Sequence, residues 1–184
     1  AILDRHGERW TAWRSRRLVT AIERIVQETG TRSRGLDVML NTLPFPSSDF
    51  DGADVRRTVA AQDLSLLADV IDRFELMTYL QILNRPVSWI GTALADARRA
   101  VPPDTELVCT LQVAPLYTSG VHVHRNRAPQ ITAGDLEAAG NLALDQGADG
   151  LVFYHWTDFL DDEAAGGDKR SVLRRLTSRE ESAR

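Results

Sequence analysis

The chain has 184 residues, and its 43% hydrophobic and 26% charged residues are ordinary for a soluble globular protein. Its formal net charge of -4 gives no general attraction to nucleic acid or to an anionic membrane, so we expect neither as a partner. No apolar stretch approaches the roughly 20 residues of a membrane span, and no signal-peptide pattern opens the chain. The first residue is Ala1 rather than Met, so the sequence does not determine the cellular compartment.

The first predicted element is a helix that ends near Gly30, which offers a C-terminal stop. Its apolar side chains recur at helical spacing and define one face: Trp10, Trp13, Leu18, Ala21, Ile22, Ile25 and Val26. Because both tryptophans belong to that face, we interpret them as core anchors rather than as sugar platforms.

Four short apolar runs end in polar or aromatic residues, and helix-like stretches separate them. The runs cover residues 36–41, 73–79, 106–112 and 150–156, so their starts lie 37, 33 and 44 residues apart. Strands that alternate with helices at this interval predict βαβ units and a parallel sheet. A (β/α)₈ barrel uses about 30 residues for each unit. We therefore predict an α/β, TIM-barrel-like fold with about four of the eight units present.

The stretches between the strands predict helices and loops. Helices are expected over about 55–70, from Pro86 to the Pro102-Pro103 pair, and from a capping box of Thr132 and Asp135 to Gly147. Loops are expected at 43–49, 114–131 and 157–168. Residues 169–184 predict a charged terminal helix or tail.

At this length we expect a single domain over residues 1–184, equivalent to the second half of a (β/α)₈ barrel. An open half-barrel would expose two strand edges and part of its apolar inner face. We therefore expect either a missing N-terminal half or a homodimer that completes the barrel.

Polar and aromatic residues follow the predicted strands at their C-terminal ends, where barrel enzymes build their active sites. They are Asn41, Glu75, Thr78, Tyr79, Gln112, Tyr154, His155, Trp156 and Asp158. Amides and hydroxyls bond to sugar hydroxyls, and aromatic rings stack on pyranose faces, so the set suits an oligosaccharide or polysaccharide. The loops contain no glycine-rich phosphate cradle, and no Lys or Arg stands at a strand end, so we expect no cofactor.

We assign substrate binding and catalysis to seven of these residues. The substrate-binding residues are Asn41, Tyr79, Gln112, Tyr154 and Trp156, and the catalytic residues are Asp158 and Glu75. Structural roles stay open for them: Glu75 as a buried ion-pair partner, Tyr79 and Trp156 as core side chains, and Asp158 as a helix cap.

Two further residue types are interpreted as structural. His122 and His124 lie on one side of an extended segment, but no third ligand accompanies them, so we expect no metal site. The single cysteine, Cys109, lies inside a predicted strand and is interpreted as a small buried hydrophobe.

Two segments resemble the barrel strands of family 18 chitinases and related glycoside-hydrolase-like barrels. Residues 72–79 (DRFELMTY) resemble their sixth strand, whose Met-x-Tyr pair points into the sugar site. Residues 147–156 (GADGLVFYHW) resemble their last strand, which brings a Trp to the barrel floor. The overall order also resembles bacterial hypothetical glycosyl hydrolases and the hydrolase-like domain of exopolysaccharide deacetylases.

The chain departs from the chitinase pattern in two places. Leu80 stands where chitinases usually have Asp, and the acidic strand-four motif is absent, as expected if that strand lies upstream of Ala1. Gln112 stands where the large clan with catalytic Glu on strands four and seven would have an acid, which disfavours that clan.

The resemblance implies a carbohydrate-active protein, either a glycoside hydrolase or a degenerate descendant. In hydrolysis a carboxylic acid would protonate the leaving oxygen, and a second carboxylate or the substrate's own acyl group would stabilise an oxocarbenium-like state. The main alternative is a non-catalytic sugar-binding or interaction module on a degenerate barrel. A cofactor-independent lyase or isomerase fits the fold, but no motif favours it.

Overall fold

The computed structural model describes residues 2–116 and 128–183 and shows an α/β fold in which strands alternate with helices. Four strands form a parallel sheet in the order β1-β2-β3-β4. They are β1 (Met39–Thr42), β2 (Arg73–Leu76), β3 (Glu106–Gln112) and β4 (Gly150–Tyr154). The predicted fold class is therefore confirmed.

The helices fill the intervals that the sequence pattern leaves between strands. Those of the described residues are α1 (Ile2–Glu28), α2 (Val55–Ala60), α3 (Leu64–Leu67), α4 (Leu80–Leu83), α5 (Trp89–Ala100), α6 (Ala133–Asp145), α7 (Trp156–Ala164) and α8 (Lys169–Ala183). Two short 3₁₀ helices, Arg32–Arg34 and Ser47–Phe50, flank β1. None of the helices in these described stretches is both long and apolar enough to span a bilayer.

The chain divides into two compact units, which are described separately below. Unit 1 comprises residues 1–76 and 95–107, and unit 2 comprises residues 77–94 and 108–184. The expectation of a single domain over residues 1–184 stays a prediction.

In unit 1, α1 turns its small side chains rather than its tryptophans toward the interior. Thr11 and Ser15 are buried, whereas Trp10 and Trp13 are 47% and 46% exposed. The interpretation of the two tryptophans as core anchors is therefore wrong. Short side chains on the buried face let α1 lie close to α2 and α3. Successive residues of a helix point about 100° apart around its axis. Trp10 consequently points away from the core that Thr11 enters.

The predicted helix over 55–70 is interrupted in the middle. Ala61 adopts a left-handed conformation with φ of 60°, which ends α2, and α3 begins at Leu64. The interruption brings the side chain of Gln62 to the end of β1. There its Oε1 accepts hydrogen bonds from Thr42 Oγ1 at 2.9 Å and from Leu43 N at 3.2 Å.

A buried ion pair lies in the core of unit 1. Arg56 and Asp96 are both nearly inaccessible, and the Arg56 guanidinium contacts the Asp96 carboxylate directly. Ser47 Oγ donates a hydrogen bond of 2.9 Å to Asp96, and Arg56 Nε lies 3.3 Å from Asp54 Oδ1. Burial alone would raise the pKa of Asp96, but the hydrogen bond from Ser47 and the charge of Arg56 outweigh it and lower that pKa.

In unit 2, β3 and β4 pair in register from Val108 with Gly150 to Gln112 with Tyr154. The predicted capping box is confirmed: Thr132 Oγ1 accepts from Asp135 N, and the Asp135 carboxylate accepts from Thr132 N at 2.9 Å. Cys109 is buried as expected, and burial raises the pKa of its thiol to about 12. The thiol therefore stays protonated at neutral pH.

The C-terminal part of unit 2 is more regular than the sequence predicts. Residues 157–168 contain most of α7, so the expectation of a loop there is wrong. Residues 169–183 form α8, and its Val172 and Leu176 are buried. Gly140 permits this packing, because a Cβ at that position would lie 2.4 Å from Leu176 Cδ1. Arg175 pairs with Glu137 of α6 at 2.7 Å at the exposed rim of the contact.

We predict that Asp96→Asn destabilises the fold by about 3 kcal/mol, because it leaves the buried Arg56 charge with only the partly exposed carboxylate of Asp54 as a partner. The folded-state pKa of Asp96 is lowered, so its contribution is fully present above its unfolded pKa of about 3.9 and is lost as the pH falls through the lower folded value. Urea unfolding across pH 2–7 measures the difference between the variant and the wild type. That difference should be constant above about pH 5 and shrink below pH 4.

The exposed Asp104→Asn variant serves as the matched control and should change the unfolding free energy by less than about 0.5 kcal/mol at every pH. An equally small change in the unfolding free energy for Asp96→Asn would show that the Arg56–Asp96 ion pair does not stabilise the fold.

Candidate functional site

Aromatic side chains gather at the C-terminal end of β4. Tyr154 is the last residue of the strand and Trp156 the first residue of α7, and they are 41% and 55% exposed. The ring of Tyr79 lies 5.4 Å from that of Tyr154, centroid to centroid, with an interplanar angle of 45°. We call Tyr79, Tyr154 and Trp156 the aromatic surface. All three belong to unit 2.

The alternation of a strand explains which aromatic side chains of β4 are available. The ring of Phe153 packs edge-on against Phe159 of α7, with centroids 5.6 Å apart. Because successive side chains of a strand point to opposite faces, Tyr154 points away from the helix that Phe153 contacts. The Trp156 ring has Arg170 Cζ 5.9 Å from its centroid and remains half exposed.

Asp158 lies beside the aromatic surface and takes part in the start of α7. Its Oδ2 accepts a hydrogen bond from His155 N at 3.1 Å and lies 3.2 Å from His155 Nδ1. The hydroxyl of Thr157 also lies 2.8 Å from that ring nitrogen. Nδ1 therefore either accepts from Thr157 or donates to Asp158, depending on the tautomer. The carboxylate thus occupies a capping position and has an imidazole as its neighbour.

Gln112 is buried at the end of β3, and its amide is fully engaged. Nε2 donates to Gln81 Oε1 at 2.9 Å and to Ala114 O at 2.8 Å, and Oε1 accepts from Ile82 N at 3.3 Å. These contacts hold α4 against the strand end. This geometry favours a structural role for Gln112, which we assigned to substrate binding from the sequence.

Gln81 extends this amide network to the loop after β3. Its Nε2 donates to Leu116 O and to Ala128 O, each at 3.1 Å, and its Oε1 accepts from Leu116 N at 3.1 Å. A cavity of about 370 Å³ lies next to it, lined by Gln81, Gln112, Leu111 and residues of α6 such as Leu136. None of the three residues of the aromatic surface is among the described residues of this lining.

Asn41 and Glu75 belong to unit 1, where they are register partners across β1 and β2. Asn41 is exposed, whereas Glu75 is 5% exposed. Arg73, two residues before Glu75 on the same strand, makes an ion pair with Glu106. The structure thus brings Tyr79 into contact with Tyr154, places Trp156 and Asp158 at the start of α7 in the same unit, and pairs Asn41 with Glu75 in the other unit. The Trp156 ring lies 6.1 Å from that of Phe159, centroid to centroid. The assignment of all seven residues to one sugar site stays a prediction.

His122 and His124 lie outside the described residues. Among residues 2–116 and 128–183, no group of three or more His, Cys, Asp or Glu side chains has the proximity that a metal ion requires.

Sequence reasoning placed His155 and Gln81 outside the assigned site. The His-x-x-Asp spacing of residues 155–158 is the spacing of an N-cap and its N3 residue, so it indicates the start of α7 and the contact between the two side chains. Gln81 has no comparable signature, because its partners, the amide of Gln112 and backbone atoms of Leu116 and Ala128, are distant in sequence.

Comparison with known proteins supports the fold. No protein-family model matches the chain, and no curated protein matches it. The chain is similar in structure to the PgaB (BpsB) glycoside hydrolase domain from Bordetella bronchiseptica, with a TM-score of 0.64 and 19% sequence identity. The likeness covers 85% of this chain and 41% of that chain, so this chain spans less than half of its length. The fold is thus glycoside-hydrolase-like, without a specific assignment to family 18.

We predict that Gln112→Leu lowers the free energy of unfolding by about 2 kcal/mol, because it removes the partners of Gln81 and of the Ile82 N–H in a buried setting. Urea unfolding measures this cost. Gln27→Leu, at an exposed position of α1, is the matched control and should change stability by less than about 0.5 kcal/mol. Unchanged stability in Gln112→Leu would contradict the structural role and would favour the original assignment of Gln112 as a ligand contact.

Proposed function

We propose that the chain is a carbohydrate-active, glycoside-hydrolase-like protein that binds an oligosaccharide across the aromatic surface. The observation that carries the proposal is the half-exposed pair of Tyr154 and Trp156 at the end of a parallel strand, with Tyr79 against the first of them. Ligands of such folds bind at this end of the strands.

The chemistry of the surface suits a neutral sugar better than a phosphorylated one. Ring faces attract the C–H groups of a pyranose, and the phenol hydroxyls both donate and accept hydrogen bonds. The imidazole of His155, whose ring lies 5.1 Å from that of Tyr154, adds one more polar contact. Among the described residues, the guanidinium of Arg170 lies over Trp156 and pairs with Glu163, so it is engaged by the protein rather than directed to a ligand phosphate.

Hydrolysis is the activity we propose for this surface, with Asp158 as the general acid. Protonation of the leaving oxygen would be followed by stabilisation of an oxocarbenium-like state by a second carboxylate or by an acyl group of the substrate. His155 Nδ1, 3.2 Å from the Asp158 carboxylate, offers a route for returning the proton after each turnover.

A non-catalytic sugar-binding module is the second candidate function. Its support is the engagement of Asp158, whose carboxylate already accepts from the backbone of His155 as a helix cap. A carboxylate in this position stabilises the helix whether or not it also serves as an acid.

We predict that Trp156→Ala weakens oligosaccharide binding about tenfold without unfolding the chain, because a half-exposed ring contributes more to a ligand than to a core. Isothermal titration with panels of neutral hexasaccharides measures affinity, and urea unfolding measures stability. The stability cost should stay near 1 kcal/mol, well below the roughly 3–5 kcal/mol of a buried tryptophan.

Leu160→Ala, which truncates another exposed apolar side chain of α7, is the matched control and should leave affinity unchanged. If none of the hexasaccharides binds the wild type, or if both variants bind as the wild type does, the aromatic surface is not the sugar site.

We predict that Asp158→Asn reduces turnover of a bound oligosaccharide at least about 100-fold, because the amide cannot supply the proton. The amide oxygen still accepts from His155 N, so the stability cost should stay below about 1 kcal/mol. Product release is followed by chromatography at saturating substrate, with the exposed Asp161→Asn as control.

Equal turnover in Asp158→Asn and wild type would remove Asp158 from the mechanism. Binding without turnover in the wild type would instead establish the non-catalytic module.

A further inference from the structure

Residues 10–17 of α1 carry two tryptophans and two arginines whose side chains form a chain of contacts. The rings of Trp10 and Trp13 stack with centroids 5.1 Å apart and an interplanar angle of 16°. Arg14 Cζ lies 5.9 Å from the centroid of Trp10, and Arg17 Cζ lies 5.6 Å from that of Trp13. We call these four residues the Arg–Trp row. It belongs to unit 1 and is separate from the aromatic surface.

The row lies within a strongly basic stretch of an otherwise acidic chain. Residues 5–17 contain five arginines and a single carboxylate, that of Glu8, although the whole chain has a net charge of -4. Glu8 is itself paired with Arg57, at 2.9 Å. Within the described part of the chain, no carboxylate forms an ion pair with the exposed side chains of Arg9, Arg16 or Arg17. The excess positive charge is therefore available to a partner.

The arginines of the row are held in place before any partner arrives. The Arg14 guanidinium donates to Val59 O at 3.1 Å and also to Thr58 O, which ties it to α2. Arg17 lies over an indole ring, which restricts its planar group while leaving the N–H edges exposed. Arg14 is thereby engaged by the protein, so Arg17 is the guanidinium of the row that can bind a carboxylate through two parallel hydrogen bonds.

An open groove runs beside the row, with a volume of about 990 Å³ and a lining that includes Arg9, Trp10, Trp13 and Arg16. Its lining residues 9–16 rise about 10 Å along the helix. Its charges favour an anionic occupant, and its indole rings favour one with apolar faces.

From this geometry we infer that the Arg–Trp row and its groove form a second binding site, for an acidic polysaccharide whose uronate carboxylates pair with the arginines. Each uronate residue offers a carboxylate for a guanidinium, and this pairing does not depend on the indole faces that are already engaged. The site lies outside the surface of the proposed function and does not depend on catalysis there.

Other anionic partners fit the row less well. Each indole already contacts the other ring and a guanidinium, which reduces the face left for a stacking nucleobase, the main contact of single-stranded nucleic acid. Membrane-surface helices present a continuous apolar face, whereas arginines interrupt the tryptophans here. The favoured occupant is therefore the uronate chain.

Titration of the full chain with a galacturonate hexamer at low ionic strength tests the proposal. We expect binding that weakens as salt is added, and about tenfold weaker affinity for Arg17→Gln. Arg17→Lys keeps the charge but loses the paired hydrogen bonds, so its affinity should fall between the two. Arg24→Gln, which removes an exposed arginine farther along α1, is the matched control and should bind as the wild type does.

Three comparison ligands make the test specific: the same hexamer with its carboxylates reduced, a single-stranded DNA of equal charge, and vesicles with anionic lipid. Weak binding of all three supports the assignment. The proposal is overturned if the hexamer does not bind, if Arg17→Gln and Arg24→Gln bind alike, or if the DNA or the vesicles bind as tightly as the hexamer.

Trp156→Ala should leave binding of the galacturonate hexamer unchanged. A failure at the Arg–Trp row is thereby distinguished from a failure at the aromatic surface.

Discussion

The end of each parallel strand needs hydrogen-bond partners, because the backbone ladder stops while the chain is still partly buried. Three polar side chains supply them in this protein. Gln62 bonds the backbone where β1 ends, Gln112 bonds the backbone beyond β3, and the carboxylate of Asp158 bonds the first N–H beyond β4. The same edge of the sheet is where a ligand of such a fold binds. Polar residues there can therefore serve two demands, closing the strand end and contacting a ligand. In unit 2 the exposed side chains at this edge are mainly aromatic.

Most of the fold could be predicted from periodicity and capping. The bounds of β3 and the starts of β2 and β4 follow from the apolar runs, and the capping box of α6 follows from Thr132 and Asp135. The errors have local causes. Ala61 adopts a left-handed conformation that an alanine does not predict, so the helix expected over 55–70 is divided into α2 and α3. The start of α7 could not be predicted, because the aromatic residues of β4 continue to Trp156 and that residue type is equally typical of a strand.

The candidate site was less predictable, because residue type does not distinguish a ligand contact from a structural one. Gln112 and Tyr154 are register partners with similar sequence contexts, yet one amide is engaged by α4 while the neighbouring phenol stays exposed. Trp10 and Trp13 present the same difficulty, since a helical stripe of apolar residues is typical of a core. An arginine follows each tryptophan by four residues, a spacing at which its guanidinium reaches the indole ring. Because arginine is rarely buried, this spacing indicates that the two tryptophans are exposed.

The bonds of Gln81 have a consequence for how this protein tolerates substitution. One side-chain nitrogen holds both Leu116 O and Ala128 O, so two backbone carbonyls that are distant from Gln81 in sequence depend on the same residue. Exchange of this single glutamine during divergence would therefore release two positions of the chain at once, whereas exchange of either carbonyl-bearing residue would leave both bonds in place, because backbone oxygens do not change with residue type.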